Sequence, residues 1–344
     1  MLIARAPVRI SFAGGGTDLE SYYGQFGGMV VSAAIDKYFY AFVTVHKGED
    51  IQIMSSDYHT FHRQSATADM VWDGDLALPR AILSYFNIHE GLSMFLASQV
   101  PPGTGLGSSS TVTVAIIKAI SSLLGLGLSK HDIAELACRI EIEKLGMPIG
   151  KQDQFAAAFG GVNTITFDTE GVTVEPLVLR SETLEGLEQR ILLFYTGVAR
   201  ESAKVLTEQN RAIRVADTSV MSSLHAIKAM AAETRRCLES GDLATYGEIL
   251  HSSWQQKRRL APGISNPLID ECYETARAHG ALGGKITGAG GGGFLMLYCQ
   301  LAKRARVTEA LEQLGLKRMG FAFDFDGAKV LVNNALPLEV ARHA

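Results

Sequence analysis

The glycine residues of this chain are concentrated in a few short segments, and these segments constrain its fold more than any other feature. Of the 344 residues, 35 are glycine, about a tenth against roughly 7% in an average protein. They cluster at 14–16, 103–107, 146–150, 160–161 and 288–293, without the serine and proline repeats of a linker. Such clusters are typical of backbone that turns tightly or closely approaches a ligand.

The remaining composition is that of a mildly acidic globular protein. With 47% hydrophobic and 20% charged residues the chain can bury a sizeable core, which excludes disorder as its main state. A net charge of −4 gives no reason to expect nucleic acid or an acidic membrane surface as a partner. The four cysteines stand singly, which argues against a zinc site or a disulfide framework. With no signal-peptide pattern at residues 1–15, we expect a cytoplasmic protein without a membrane partner.

Hydrophobic spacing predicts an α+β fold. Strands are expected at 2–12, 38–46, 51–55, 92–100, 162–167, 191–195 and 294–299, and two short strands within 320–333 joined at Asp326-Gly327. Helices are expected at 109–124, from Ser129 to Leu145, at 152–159, over much of 198–279 and at 302–314. Because strands and helices do not alternate steadily, a doubly wound sheet is disfavoured. We expect an N-terminal domain at 1–185 and a C-terminal domain at 186–344.

The segment PPGTGLGSSS, residues 101–110, joins a predicted strand to a predicted helix. Its glycines leave backbone N–H groups unshielded, and a helix N-terminus with free N–H donors can hold phosphate. The serine hydroxyls would add donors or a magnesium ligand. Neither the Walker pattern nor the Rossmann spacing is present. The alternative is an ordinary capped helix after a tight turn. The candidate phosphate-binding residues are Pro102, Gly103, Thr104, Gly105, Leu106, Gly107, Ser108, Ser109 and Ser110.

Two further glycine segments also carry candidate sites. The run Gly288, Ala289, Gly290, Gly291 and Gly292 suits backbone lying against a ligand or another loop, or else a glycine-lined bulge at a strand edge. The segment RISFAGGGTD, residues 9–18, brings glycines and a carboxylate to the end of a strand. Its aspartate could bind sugar hydroxyls or cap a helix that begins near Leu19.

Two carboxylates, Glu141 and Asp153, flank a turn-forming segment that contains Gly146, Pro148 and Gly150. They cannot share a helix face, but a chain that folds back would bring them to one site. One could then hold a metal while the other accepts a proton. The alternative is a solvated helix end and an unrelated aspartate at a helix start.

Taken together, and in the order in which they occur along the chain, the four segments resemble the motifs of the GHMP superfamily of small-molecule kinases. This superfamily includes galactokinase, homoserine kinase, mevalonate kinase and phosphomevalonate kinase. The resemblance runs from residue 9 to residue 293. It implies a two-domain α+β fold with ATP bound in the cleft between the domains.

The resemblance also implies roles for individual residues. Ser108 and Glu141 match the Mg²⁺ ligands, Asp153 matches the catalytic base, and Arg9 matches a basic residue that would keep this base ionised and oriented. In-line transfer of the γ-phosphoryl group demands mainly positioning and charge neutralisation.

The first motif departs from that of galactokinase-type enzymes. The implied substrate segment is Gly15, Gly16, Thr17 and Asp18, in which Asp18 matches a ligand of sugar hydroxyls. Sugar kinases such as galactokinase carry Gly-Glu-His where this chain has Gly14-Gly15-Gly16. Two large polar contacts are therefore gone, which disfavours galactose and leaves room for a larger or differently held sugar.

Within the superfamily, AGGGTD and the later YTGVARESAK look most like the heptose 7-phosphate kinases. That resemblance implies transfer of phosphate from ATP to the anomeric hydroxyl of a sugar phosphate, and is compatible with a homodimer. Arg200 and Lys204, four apart on a predicted helix, would hold the sugar's own phosphate. The alternative is a solvated helix face with Glu201 and Glu208 nearby.

Other functions remain open at this point. The fucokinase branch also has a glycine-rich first motif, and the same site could serve a phosphorylated acid or an isoprenoid precursor. A non-catalytic sensor of sugar and ATP is disfavoured, because it would need neither Glu141 nor Asp153.

Overall fold

The computed structural model describes residues 1–57, 59–66, 74–198 and 202–335, which form two sheets and eleven α-helices within those ranges. The strands are β1 (Leu2–Ala13), β2 (Gly28–Val45), β3 (Asp50–Ser55), β4 (Thr60–Ser65), β5 (Leu92–Ser98), β6 (Val162–Phe167), β7 (Val172–Pro176), β8 (Ile191–Tyr195), β9 (Ala281–Ile286), β10 (Phe294–Cys299), β11 (Lys317–Met319) and β12 (Lys329–Asn333). The helices are α1 (Glu20–Phe26), α2 (Ala77–Tyr85), α3 (Ser108–Leu123), α4 (Lys130–Cys138), α5 (Gln152–Phe159), α6 (Ser181–Arg190), α7 (Ser202–Arg214), α8 (Thr218–Ser240), α9 (Leu243–Lys257), α10 (Pro267–Ala278) and α11 (Arg304–Gln313).

The first sheet has eight strands, and its long strand β2 divides it. The main order is β12-β1-β2-β5-β3-β4, while β6 also pairs with β2 and carries β7 beside it. The beginning of β2 pairs with β6 and its end with β5, so one 18-residue strand supports two neighbours on the same edge. Among the strand pairs that the structure describes in this sheet, β3–β5 alone is parallel. The second sheet is antiparallel, with the order β11-β8-β10-β9.

A shared hydrophobic cluster joins the two sheets. Val8 and Ile10 of β1 belong to the same buried cluster as Leu193 of β8 and Met296 of β10. Alternate residues of a strand face the same side, and on this side β1 is contacted by α8 and α9, whose residues Leu238 and Tyr246 belong to the same cluster. The α3, α4 and α5 helices contribute instead to a separate cluster with β1 and β2. This packing brings glycine loops from both halves of the chain to one cleft.

The α+β prediction is confirmed, and several predicted elements agree closely with observed ones, α5 and β6 among them. The prediction of two strands within 320–333 joined at Asp326-Gly327 is wrong. Only Lys329–Asn333 forms a strand there, and it pairs with β1, because the backbone N–H of Gly327 donates to the Asp324 carboxylate in a turn instead. The helix expected to run to Leu145 changes at Arg139–Lys144 into a π-helical turn.

The predicted domain boundary between residues 185 and 186 falls within α6. The β12 strand belongs to the sequence of the predicted second domain but hydrogen-bonds to the first sheet. Among the helices in the described ranges, none is both long and apolar enough to cross a membrane.

Candidate active site

The segment that follows β5 forms a loop whose shape depends on its glycines. Gly103, Gly105 and Gly107 have φ angles of +72°, +77° and +80°, a region that L side chains rarely adopt. The α3 helix begins at Ser108, directly after Gly107, which has no side chain to cap it. The first N–H groups of α3 therefore lack a capping side chain from that position, which favours the phosphate site over the capped-helix alternative.

The second glycine-rich loop, between β9 and β10, packs directly against this phosphate loop. A Cβ atom on Gly105 would lie 2.4 Å from the carbonyl oxygen of Thr287, and one on Gly293 would lie 2.2 Å from that of Thr104. The loop is closed by a hydrogen bond of 2.9 Å from the Thr287 N–H to the Phe294 carbonyl oxygen. The glycines thus allow two backbones to touch, which agrees with the expected loop-on-loop contact.

Only part of each predicted loop faces the cleft. A cavity of about 520 Å³ lies there, and it is lined by Pro102, Gly103, Gly105, Gly107, Ser108, Ser109 and Ser110, and by Gly288 and Ala289. Thr104 and Leu106 are fully buried beneath the loop. Cβ atoms on Gly290 and Gly292 would instead meet Ile264 and Val198.

The buried Arg9 and the partly exposed Asp153 form an ion pair at the phosphate loop. The Nε and Nη2 atoms of Arg9 lie 2.7 and 2.6 Å from Oδ1 of Asp153. Nη1 of Arg9 donates to the Gly105 carbonyl oxygen at 2.7 Å. A Cβ on Gly107 would lie 3.1 Å from Oδ2 of Asp153. The carboxylate is therefore held beside the backbone of the loop, with both guanidinium bonds on one oxygen.

Asp18 does not cap α1, the helix that follows it, although its Oδ2 accepts a hydrogen bond of 3.3 Å from the backbone N–H of Gln152, the first residue of α5. The N-cap of α1 is Leu19, without a side-chain hydrogen bond. The Asp18 carboxylate accepts hydrogen bonds from the Gly16 N–H at 2.9 Å and from Nε2 of Gln152 at 3.0 Å. Burial, and then the negative charge of Asp153, raise its pKa. The structure thus brings Asp18, Gly15 and Gly16 to the cavity, whereas the Thr17 hydroxyl bonds to backbone of Gly14 and Met29 within the turn.

Glu141 lies in the π-helical turn, fully buried behind the serines of α3. Its carboxylate accepts hydrogen bonds from the Thr113 hydroxyl at 2.8 Å and from Nε2 of Gln154 at 2.6 Å. Burial, which these hydrogen bonds partly offset, raises its pKa to about 7, and the nearby Asp153 contributes. The folded-back arrangement predicted for Glu141 and Asp153 is therefore present. π-helical turns occur often at functional sites.

The cavity wall next to Asp18 carries polar groups that the motifs did not indicate. We call Asp18, Gln209, Lys257 and Lys285 the polar wall. Gln209, Lys257 and Lys285 are 3%, 9% and 3% exposed, and all line the cavity. The Nε2 atom of Gln209 is buried without a hydrogen-bond partner among the described residues, and lies 2.6 Å from where a Cβ on Gly16 would be.

Part of the cavity lining is apolar. Phe39, Leu76, Leu78 and Leu96 form this part, and together we call them the apolar end. The sequence contains no signal for the apolar end, since its residues come from β2, from the first turn of α2 and the residue before it, and from β5.

The two basic residues expected to hold a substrate phosphate are placed differently. Lys204 is exposed on α7 and is not among the residues that line the cavity. Arg200 lies outside the described residues.

Fold and cleft together define a phosphoryl-transfer enzyme, and comparison with known proteins gives its family. The model of the GHMP kinases N terminal domain matches residues 76–161, and that of the GHMP kinases C terminal domain matches residues 230–316. A D-glycero-alpha-D-manno-heptose 7-phosphate kinase of Campylobacter jejuni is 33% identical over 94% of this chain and 96% of its own length. The chain belongs to the GHMP kinase family and is an ATP-dependent kinase.

Two further relatives bear on its specificity. A crystal structure of a D-glycero-D-manno-heptose 1-phosphate kinase from Bacteroides thetaiotaomicron superposes with a TM-score of 0.82, is 28% identical, and covers 97% of this chain and 100% of that one. An L-fucokinase/L-fucose-1-P guanylyltransferase of Bacteroides fragilis is 28% identical over 86% of this chain but only 34% of its own length.

Proposed function

We propose that this kinase transfers the γ-phosphoryl group of ATP to the anomeric hydroxyl of D-glycero-D-manno-heptose 7-phosphate. The observation that carries the proposal is the Arg9–Asp153 ion pair, which is bonded to the phosphate loop and lines the same cavity as the polar wall. A carboxylate in this position lies beside both a nucleotide phosphate and an acceptor hydroxyl. The relative named as a heptose 7-phosphate kinase supports this choice of acceptor.

ATP would bind across the middle of the cavity. The N–H groups of the phosphate loop and of the first turn of α3 would hold its phosphates, because a helix N-terminus attracts anions. The adenine ring would lie against the apolar end, where Phe39, Leu76 and Leu96 offer the apolar contacts that a base requires.

Asp153 would act as the general base through Oδ2. Oδ1 accepts both bonds from Arg9, while Oδ2 has no hydrogen bond to a residue in the described part of the chain. Oδ2 can therefore take the proton of the acceptor hydroxyl as the bond to phosphorus forms. The guanidinium holds Oδ1 in place and so leaves Oδ2 for the acceptor.

Ser108 and Glu141 are the residues that we propose for Mg²⁺. Their oxygens are the hard donors that Mg²⁺ prefers, and the described hydrogen-bond partners of Glu141 are uncharged. Within the described ranges there is no cluster of three or more His, Cys, Asp or Glu side chains that could hold a metal. A site of one carboxylate and one hydroxyl fits an ion that shares its shell with substrate phosphates. When bound, the ion would neutralise charge on those phosphates.

The acceptor sugar would lie against the polar wall. The Asp18 carboxylate accepts hydrogen bonds from its own chain and can also accept from sugar hydroxyls. Gly15 and Gly16 leave space beside it, and Nε2 of Gln209, which points to Gly16, would donate to a sugar oxygen. A polar wall with unsatisfied donors suits a polyhydroxylated acceptor better than an apolar one.

An acceptor panel tests the proposal. The purified enzyme with ATP and Mg²⁺ is assayed by mass spectrometry against heptose 7-phosphate, unphosphorylated heptose, L-fucose, galactose and mevalonate. We expect a heptose 1,7-bisphosphate as the product with the highest kcat/KM. The similarity to the Bacteroides fragilis fucokinase makes L-fucose the second candidate, and a preference for it would replace the heptose assignment.

A further inference from the structure

Two lysines of the polar wall are buried without a carboxylate partner. Nζ of Lys257 donates to the backbone carbonyl oxygens of Ile286, at 3.1 Å, and of Gly288. Nζ of Lys285 makes no hydrogen bond or ion pair to any residue that the structure describes. Both side chains are more than nine-tenths buried and both line the cavity. Buried ammonium groups are normally paired with an anion.

The neighbouring charges do not supply that anion. Arg9 is already neutralised by Asp153. Burial, and then the positive charge of Arg9, lower the pKa of Lys257 to about 7, while the negative charge of Asp18 opposes the shift. Burial, Lys257 and Arg9 together hold the pKa of Lys285 well below its usual range. Isolated buried cations cost several kcal/mol each, so this part of the cavity is suited to a negatively charged ligand.

We infer that Lys257 and Lys285 bind the phosphate group that the acceptor sugar carries, an inference that rests on the proposed function. The pair lies in the wall that holds Asp18 and Gln209, whereas the ATP phosphates already have the phosphate loop and the start of α3. Two ammonium groups in a buried wall match a sugar-phosphate dianion. This assignment differs from the sequence prediction of Arg200 and Lys204, since Lys204 is exposed and does not line the cavity.

The position of Lys257 also links this phosphate site to the phosphate loop. Lys257 bonds to the carbonyl oxygen of Gly288, and a Cβ on Gly288 would lie 2.6 Å from the Cα of Gly105. The same lysine therefore contacts the loop that supports Gly105 and, on our inference, the far end of the acceptor. An acceptor without its phosphate would leave Lys257 and Lys285 unpaired.

The test compares the kcat/KM values for two acceptors in the same variant, so that a general loss of activity cancels in their ratio. Lys257→Met and Lys285→Met keep the aliphatic stem and remove the charge, and Lys317→Met on the exposed strand β11 is the matched control. For each variant, kcat/KM is measured with heptose 7-phosphate and with unphosphorylated heptose at saturating ATP. We expect each buried-lysine variant to lower the ratio of the two values by about 10- to 100-fold, the worth of a charge-assisted bond, and the control to leave it unchanged.

Several outcomes would overturn the inference. An equal loss with both acceptors would assign the lysines to the transferred phosphoryl group, and an unchanged ratio would remove them from substrate binding. A fall in the ratio for Lys204→Met alone would restore the sequence prediction. If the wild type phosphorylates no sugar phosphate, the proposed function itself has failed, which is a different result from all of these.

A measurement on the wild type covers the case in which a variant does not fold. Inorganic phosphate is used as an inhibitor, with heptose 7-phosphate and ATP varied in turn. We expect competition with the sugar phosphate and not with ATP. Competition with ATP alone would contradict the inference.

Discussion

Between the two glycine loops, Arg9 and Asp153 are bonded to each other and to the loop backbone, whereas at the polar wall Lys285 and Nε2 of Gln209 have no partner among the described residues. The reacting centre is therefore organised before any substrate arrives. The polar wall is not satisfied until a ligand supplies the missing partners. An acceptor that lacks matching polar groups would leave these buried donors unpaired, which costs binding free energy. The polar wall therefore discriminates against such acceptors.

The largest expected effect is on the Arg9–Asp153 pair and the phosphate loop, which we call the organised centre. Asp153→Asn keeps the shape of the side chain but removes the base, so kcat should fall by about 10²- to 10⁴-fold. Calorimetry should find ATP affinity changed by less than about threefold. Turnover close to that of the wild type at saturating substrates would exclude Asp153 as the base. The Arg9–Asp153 pair would then not be the reacting centre.

The next effect concerns the proposed metal ligands. Glu141→Gln and Ser108→Ala should each raise the Mg²⁺ concentration that gives half-maximal rate by about 10- to 100-fold, because each removes one oxygen ligand. Glu143→Gln is the matched control, since Glu143 is exposed and only two residues away. If the Mg²⁺ requirement moves in the Glu143 variant instead, the ligand has been misassigned within the π-helical turn.

A smaller effect is expected for the uncharged donor of the polar wall. Gln209→Ala should raise the KM for the acceptor by about 2- to 10-fold, the worth of one hydrogen bond between uncharged groups. The KM for ATP should stay unchanged, as should both constants in Gln313→Ala on the exposed side of α11. An ATP-specific change would mean that the amide belongs to the nucleotide half of the cavity.

The smallest expected effect is the uptake of protons when the acceptor binds. Because the pKa of Lys257 is lowered to about 7, the group is mostly neutral at pH 8 in the free enzyme and protonated below pH 7. A bound dianion adds a negative charge to surroundings that now hold Arg9, Asp18 and Lys285, and so raises this pKa. Calorimetry at pH 8 in buffers of different ionisation enthalpy should therefore detect proton uptake on acceptor binding. Uptake should be smaller in Lys257→Met, where Lys285 is the remaining lysine of the site, and proton release would contradict the sign of this argument.

The organised centre could be predicted from the sequence, but most of the polar wall could not. Arg9, Asp153 and the phosphate loop lie in glycine-rich segments whose local chemistry marks them. Lys257 begins a Lys-Arg-Arg run at a helix end, which has the pattern of a solvated basic terminus. Gln209 stands between polar neighbours on α7. Their burial depends on how the second half of the chain packs against the first, and local patterns do not record such contacts.

The same limit explains why the strand prediction for residues 320–333 is wrong. The residue pattern of 329–333 indicates a strand. Its pairing with β1, however, spans more than 300 residues of sequence and has no local signal. The alternatives for Asp18 were likewise separated only by the fold, because its partner Gln152 is distant in sequence.

The return of β12 to β1 has a consequence for biosynthesis. During translation β1 emerges first and can pair with β2, but its other edge stays open until the ribosome has made residues 329–333. An open edge can pair with another chain, so β1 stays available for such pairing until β12 has been made. The β12 strand closes that edge, and a chain truncated just after α11 would keep it exposed.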